Sequence, residues 1–253
     1  MAQRGRIDDR RVLQKLDECF RRNDYADAKR LLLYWHSEAQ TLGDGKGTLL
    51  MLNELMGLCR KLGEREQALA FVDKALEQVK VMALEHTVGA ATTYQNGATV
   101  YKAFGMADKG IPLFEKARMI YEQQLSPDDD RLGGLYNNMG LALVDVGRFE
   151  EADVCYRKAL SVMSVVPDKE PEQAITYLNM ASAAEAQYGL EAAASMIEDH
   201  VQKAMDCLEG CRQRTDGNYA FVCEKCATVF DYYGHFDYAK RLTERYRRIY
   251  EGA

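Results

Sequence analysis

Four cysteines near the C-terminus have spacing that could hold a metal. Cys207-x3-Cys211 and Cys223-x2-Cys226 would offer four thiolates to a tetrahedral zinc ion. Their setting argues for another role. Each lies in a stretch with helical apolar periodicity, and a buried thiol behaves as a small hydrophobe. We therefore expect these cysteines to be core residues and expect no metal or other cofactor. The remaining cysteines, Cys19, Cys59 and Cys155, are scattered in similar contexts. An odd number of such thiols reads as reduced cysteine in a cytoplasmic protein.

Other chemistry-bearing motifs are weaker. Gly43-Asp44-Gly45-Lys46-Gly47-Thr48 has the glycines and lysine of a phosphate loop. The lysine is followed by glycine instead of Ser or Thr, and a helical pattern leads in where a strand is required. A flexible connection between elements is the expectation here. Asp128, Asp129 and Asp130 lack the later glutamate of a calcium loop, and read as acids at a helix start. His36, His86, His200 and His235 are far apart and form no catalytic or metal spacing. No nucleophile motif accompanies them, so the expectation is a protein that is not an enzyme.

Charge and hydropathy narrow the partners. Lys plus Arg number 33 against 39 Asp plus Glu, a net charge of −6. That disfavours a nucleic-acid binder, which needs a basic face. The basic run Lys240, Arg241, Arg245, Arg247 and Arg248 reads as the solvated side of a terminal helix. No apolar stretch approaches the ~20 residues that span a bilayer. The opening MAQRGRIDDRR has no apolar core of a secretory signal. No membrane association is expected.

The elements that must carry these residues repeat. Gly63, Gly105, Gly147 and Gly189 are each 42 residues apart, with Gly234 following after 45 and Asn23 preceding Gly63 by 40. Five residues beyond each stands a small residue: Ala28, Ala68, Gly110, Ala152, Ala194 and Ala239. On both sides of each glycine, apolar residues recur every three or four positions, the period of an amphipathic helix. One unit is thus two helices joined by a turn in which glycine takes a left-handed conformation. Gly140 and Ala152 would sit where two such helices cross. A lone hairpin cannot bury its apolar face, so neighbours must stack. We expect one array over 8–251, with repeats at about 8–42, 47–83, 87–125, 127–165, 171–209 and 216–251. In repeat 5 the turn is expected to be one residue longer. Ser126 is the expected N-cap of a helix opening Pro127-Asp128-Asp129-Asp130. With 253 residues, six such pairs leave nothing for a separate catalytic or DNA-binding domain.

Repeat 3 shows the signature as Tyr94, Gly97, Ala98, Tyr101, Gly105, Gly110, Phe114 and Ala117. Repeat 2 shows Leu52, Leu55, Met56, Cys59, Gly63, Ala68, Val72 and Ala75. This pattern resembles the tetratricopeptide repeat, in the 42-residue subtype of kinesin light chain that is also widespread in bacteria. The resemblance implies an all-α fold, an α-α superhelix forming a right-handed solenoid of about six helix pairs. It also implies a role in binding protein or peptide.

In that family the first helices line a concave groove. The matching stripe here is Thr92, Asn96, Thr99 and Ala103; Gly134, Asn138, Leu141 and Asp145; Ile175, Asn179, Ser182 and Ala186; and Phe221, Lys225, Thr228 and Tyr232. Asn96, Asn138 and Asn179 stand 42 and 41 residues apart, and Asn53 lies 43 before Asn96, although strict register puts Glu54 there. Asparagine is a poor helix-interior residue, so its recurrence needs a cause. A carboxamide both donates and accepts, and a row of them can hold the backbone of an extended peptide. The resemblance points the same way, since asparagines at this position contact ligand backbone in kinesin light chain and in O-GlcNAc transferase. The other reading is that they bond neighbouring helices and shape the array. The candidate peptide-binding residues are Asn96, Asn138, Asn179, Asn53 and Asn137, with Lys102 and Lys225. The lysines are too dispersed for the family's clamp on an acidic C-terminal tail. The resulting expectation is a scaffold or adaptor gripping an extended segment. The alternative is a signal-peptide-sensing regulator acting on a separate effector protein.

Overall fold

The computed structural model describes residues 5–252. Among these there are twelve α-helices and no strand. They form six antiparallel pairs: α1 (Asp9–Arg21) with α2 (Tyr25–Leu42), α3 (Gly45–Lys61) with α4 (Arg65–Val81), and α5 (Val88–Ala103) with α6 (Ala107–Gln124). The second half holds α7 (Asp130–Asp145) with α8 (Phe149–Met163), α9 (Glu170–Tyr188) with α10 (Ala194–Gly210), and α11 (Gly217–Tyr232) with α12 (Phe236–Glu251). The chain divides into two compact units, one ending at Gln124 and one starting at Leu125. Within the first unit α3 packs on α5; within the second α9 packs on both α7 and α11. Successive first helices from α3 to α5 and from α7 to α11 are therefore neighbours inside their units.

The turns follow from the periodic glycines. Gly63, Gly105, Gly147 and Gly234 have φ of 72°, 71°, 75° and 86°, a region where a Cβ is penalised. The residue after each returns its N–H to a carbonyl of the last turn, as in Glu64 to Cys59 (2.9 Å) and Arg148 to Leu143 (2.9 Å). That closes the helix C-terminus and starts the partner helix two residues beyond the glycine. Asn23 does the same work at φ 55°. Gly189 departs from the pattern. Its ψ is 158°, and residues 190–193 form an extra turn before α10 begins at Ala194. The expected single-residue extension is in fact a whole turn.

Most first helices are capped by side chains. Asp8, Thr87, Asp129 and Asp216 each accept a backbone N–H from the first turn of α1, α5, α7 and α11. Ser126 is not the cap of α7; Asp129 is, and the Ser126 hydroxyl bonds Asp128. The glycine-rich segment at 43–48 is likewise not a flexible connection. Gly45, Lys46 and Gly47 form the first turn of α3. Asp44, buried, accepts from the N–H of Gly47 at 3.0 Å and from that of Ile7 at 3.1 Å, tying the N-terminal segment to the second pair. The phosphate-loop resemblance thus dissolves into a helix cap.

The helix crossings use the small residues. At Gly110 an added Cβ would stand 2.9 Å from the Ala98 carbonyl oxygen, so α5 and α6 meet there almost backbone to backbone. At Gly140 it would stand 2.6 Å from the ring of Tyr156, which is fully buried. The Tyr156 hydroxyl has no hydrogen-bond partner among the described residues, and burial pushes its ionisation far upward. An unpaired buried hydroxyl costs stability. Tyr156→Phe is therefore expected to stabilise the chain by about 1 kcal/mol. A thermal melt with an unchanged or lower midpoint would contradict this.

Candidate functional site

The stripe is accessible within each unit. Thr92 and Ala103 on α5, Asp145 on α7, Ser182 and Ala186 on α9, and Phe221, Lys225, Thr228 and Tyr232 on α11 are exposed. Asn96, Thr99, Asn138, Leu141, Ile175 and Asn179 are half-buried. Positions between them on the same helices, such as Tyr94, Ala98, Met139 and Leu178, enter the core. The 3.6-residue period alone separates these two faces.

The asparagines are brought together in pairs. In the first unit the buried Thr93 donates its hydroxyl to the Gly89 carbonyl (3.1 Å), so its oxygen must accept from elsewhere. Asn53 supplies that donor: its Nδ2 bonds Thr93 Oγ1 at 3.0 Å and the Leu49 carbonyl at 2.9 Å. With both N–H groups used, Asn53 presents Oδ1, which accepts from Asn96 Nδ2 at 2.9 Å. Asn96 is left with its own Oδ1 free of partners among the described residues. The polarity of the chain is fixed from Thr93 outward. In the second unit Asn179 Nδ2 donates to Asn137 Oδ1 at 3.0 Å. Asn138 makes no hydrogen bond among the described residues.

Glu54, the residue in strict register, is half-buried, and burial raises its carboxyl above the usual range, with Asp17 adding to the effect. Lys102 is half-buried on α5. Lys225 is exposed, its ammonium 5.6 Å from the Phe221 ring centroid. Two contributors escaped the sequence reading. Thr93 polarises the first amide chain, and Glu185 braces α11 by accepting from the hydroxyls of Tyr232 (2.5 Å) and Tyr233 (2.8 Å). Both act across helices, and no local pattern marks them.

The cysteines of the C-terminal pairs lie in the core. Cys211, Cys223 and Cys226 are buried and Cys207 is half-buried against the same cluster. Burial pushes the Cys207 and Cys211 thiols up to about 11 and raises those of Cys223 and Cys226 as well. Protonated thiols are poor metal ligands and poor nucleophiles. Among the described residues no group of three or more His, Cys, Asp or Glu side chains is arranged to hold a metal. No helix there is long and apolar enough to cross a membrane.

Comparison with known proteins places this architecture. The tetratricopeptide repeat family profile matches residues 89–163. No curated protein sequence matches the chain. Among solved structures, BtubC (BKLC) from P. vanneervenii shares the fold with a TM-score of 0.68 and 18% identity, over 80% of each chain. A putative kinesin light chain from P. anserina, with nearly identical tetratricopeptide-like repeats, gives 0.54 at 17% identity, over 80% of this chain and 94% of that one. A Rap protein complexed with Competence and Sporulation Factor gives 0.54 at 13% identity, over 94% of this chain and 73% of that one. Residues 89–163 thus match the tetratricopeptide repeat family, and the chain shares its fold with solved structures of kinesin-light-chain-like repeat proteins.

Proposed function

We propose that this protein is a binding scaffold that holds an extended peptide segment of a partner protein against its first helices. The observation that carries this reading is the state of the asparagines. Asn53 and Asn137 are consumed as acceptors, which orients Asn96 and Asn179 so that their carbonyl oxygens remain available. Asn138 keeps its whole amide available. A preoriented carbonyl accepts a peptide N–H without reorganisation, and Asn138 can both donate and accept. Such contacts read backbone and leave side-chain choice to flanking groups. Lys225 beside Phe221, and Tyr232 about two turns beyond Lys225 on α11, are suited to that second task.

The family's general use as a non-catalytic scaffold supports the absence of enzymatic activity, and the net negative charge supports a partner other than nucleic acid. A cytoplasmic setting suits seven free thiols. The same reading takes residues 8–251 as one cooperative array. The likeness to the Rap protein, complexed in that structure with Competence and Sporulation Factor, supports the second reading: a peptide sensor that acts on a separate effector.

The test is affinity capture from the native lysate with the wild-type chain and with the Asn96→Ala, Asn138→Ala double variant. The retained partner is identified, and its binding segment is titrated as a synthetic peptide. Each lost amide contact is expected to weaken binding by about 1 kcal/mol, so the double variant should lose roughly tenfold or more. Helicity should be unchanged, because Asn138 makes no internal bond and Asn96 only donates one. Equal affinity of both proteins for the peptide would eliminate the amide row as its binding site.

A further inference from the structure

We propose that a cavity walled by α4, α5 and α6, on the second-helix side of the first unit, binds a small amphipathic carboxylate. The ligand class is one apolar chain of medium length ending in a single carboxylate. This site is separate from the asparagine row and does not depend on it.

The cavity has a volume of about 660 Å³. That lies within the range of ligand pockets, roughly 300–1,000 Å³. Its wall is apolar: Leu76 from α4, and Leu113 and Ile120 from α6. Met119 stands at its mouth, 59% exposed, with a flexible and polarisable side chain suited to an apolar ligand. Together these four side chains give the cavity an apolar surface contributed by two helices.

The polar part of the lining is Tyr94, Lys116, Lys80, Glu85, His86 and Gln123. Tyr94 lines the cavity and is only 6% exposed, yet its hydroxyl forms no hydrogen bond among the described residues. The ring is buried while the hydroxyl stays open to the cavity, where it can donate to a ligand. Lys116 lies beside it, its ammonium 5.7 Å from the Tyr94 ring centroid, and makes no ion pair among the described residues. Lys80 is the second lining cation, 3.8 Å from an exposed Glu77. Glu85 is the one carboxylate in the lining, and His86 completes the rim. The balance favours an anion. One ammonium and one neutral hydroxyl match a carboxylate; the planar fork of arginine that favours phosphate is missing from the lining.

Isothermal titration of the full chain with decanoate, decanol and decyltrimethylammonium tests the proposal. Decanoate should bind at one site per chain, about tenfold or more tighter than the neutral alcohol, with the cationic analogue weaker still. Lys116→Glu and Met119→Glu each alter an exposed side chain and should leave the thermal melt unchanged. Each should weaken decanoate binding by about tenfold. Failure of decanoate to bind, equal binding of the three probes, or folded variants with wild-type affinity would each overturn the proposal. Should a variant melt early, Lys116→Gln and Met119→Gln, which keep size and remove one feature, give the same reading.

Discussion

Phe114→Ala is expected to destabilise the protein by about 3–5 kcal/mol, the usual result of emptying an aromatic site in a close-packed core. Phe114 is completely inaccessible and stands one turn beyond Gly110, where α5 and α6 approach most closely. The tight crossing leaves the backbone little room to collapse into the cavity, which places the cost toward the upper end. The comparison is Phe221→Ala on α11. Phe221 is also an aromatic residue in a helix, but it is 47% exposed and its ring meets only the Lys225 ammonium among its ring contacts. Its loss should cost less than about 0.5 kcal/mol of stability. Urea unfolding followed by far-ultraviolet circular dichroism measures both. Similar midpoints for the two variants would mean that the assigned core is wrong. A partner peptide that binds across α11 should respond in the opposite order, with Phe221→Ala the more harmful.

Gly140→Ala sets helix propensity against packing. In an open helix interior this change stabilises by about 1 kcal/mol, because glycine gives up more backbone freedom on folding. At position 140 the new Cβ meets three atoms of the Tyr156 ring at 2.6–2.9 Å. Tyr156 is itself fully buried, so the ring has nowhere to go. Overpacking of this kind costs about 1–3 kcal/mol, and the net effect is destabilising. Gly57→Ala isolates the propensity term. Gly57 is in the interior of α3 with nothing within 4 Å of an added Cβ, and its replacement should stabilise by about 0.5–1 kcal/mol. Melting temperatures moving in opposite directions support the contact at Gly140. A rise in both would show that α7 and α8 are further apart than described.

Much of this was legible in the chain. The glycines at 63, 105, 147 and 234 announce their turns because a left-handed residue leaves a compositional mark. Gly140 was recognisable as a crossing point because only a small side chain permits close helices. Other features were hidden for physical reasons. The segment 43–48 looks flexible by composition, yet Asp44 gains two backbone donors on folding, and one comes from Ile7, far away in sequence. Ser126 and Asp129 are both competent caps, and because α7 starts at Asp130 the role falls to Asp129. The turn after Gly189 is longer than its glycine indicates, because α9 runs to Tyr188 and the chain needs a further turn to begin α10.

The sequence by itself determined the helices, their pairing and the face each buries, since these depend on local conformation and on a period of 3.6 residues. It also nominated the asparagines, through their recurrence at positions where a helix does not favour them. Tertiary structure alone decided what those amides do. Whether an asparagine is spent on a neighbour or left to bind depends on the atom opposite it. That atom is Thr93 Oγ1 for Asn53, Asn53 Oδ1 for Asn96 and Asn137 Oδ1 for Asn179, each 40 or more residues away in the chain. Hydrogen bonds are directional and short, so a one-dimensional spacing can place the amide on one face without fixing which of its two ends is bonded to a neighbour.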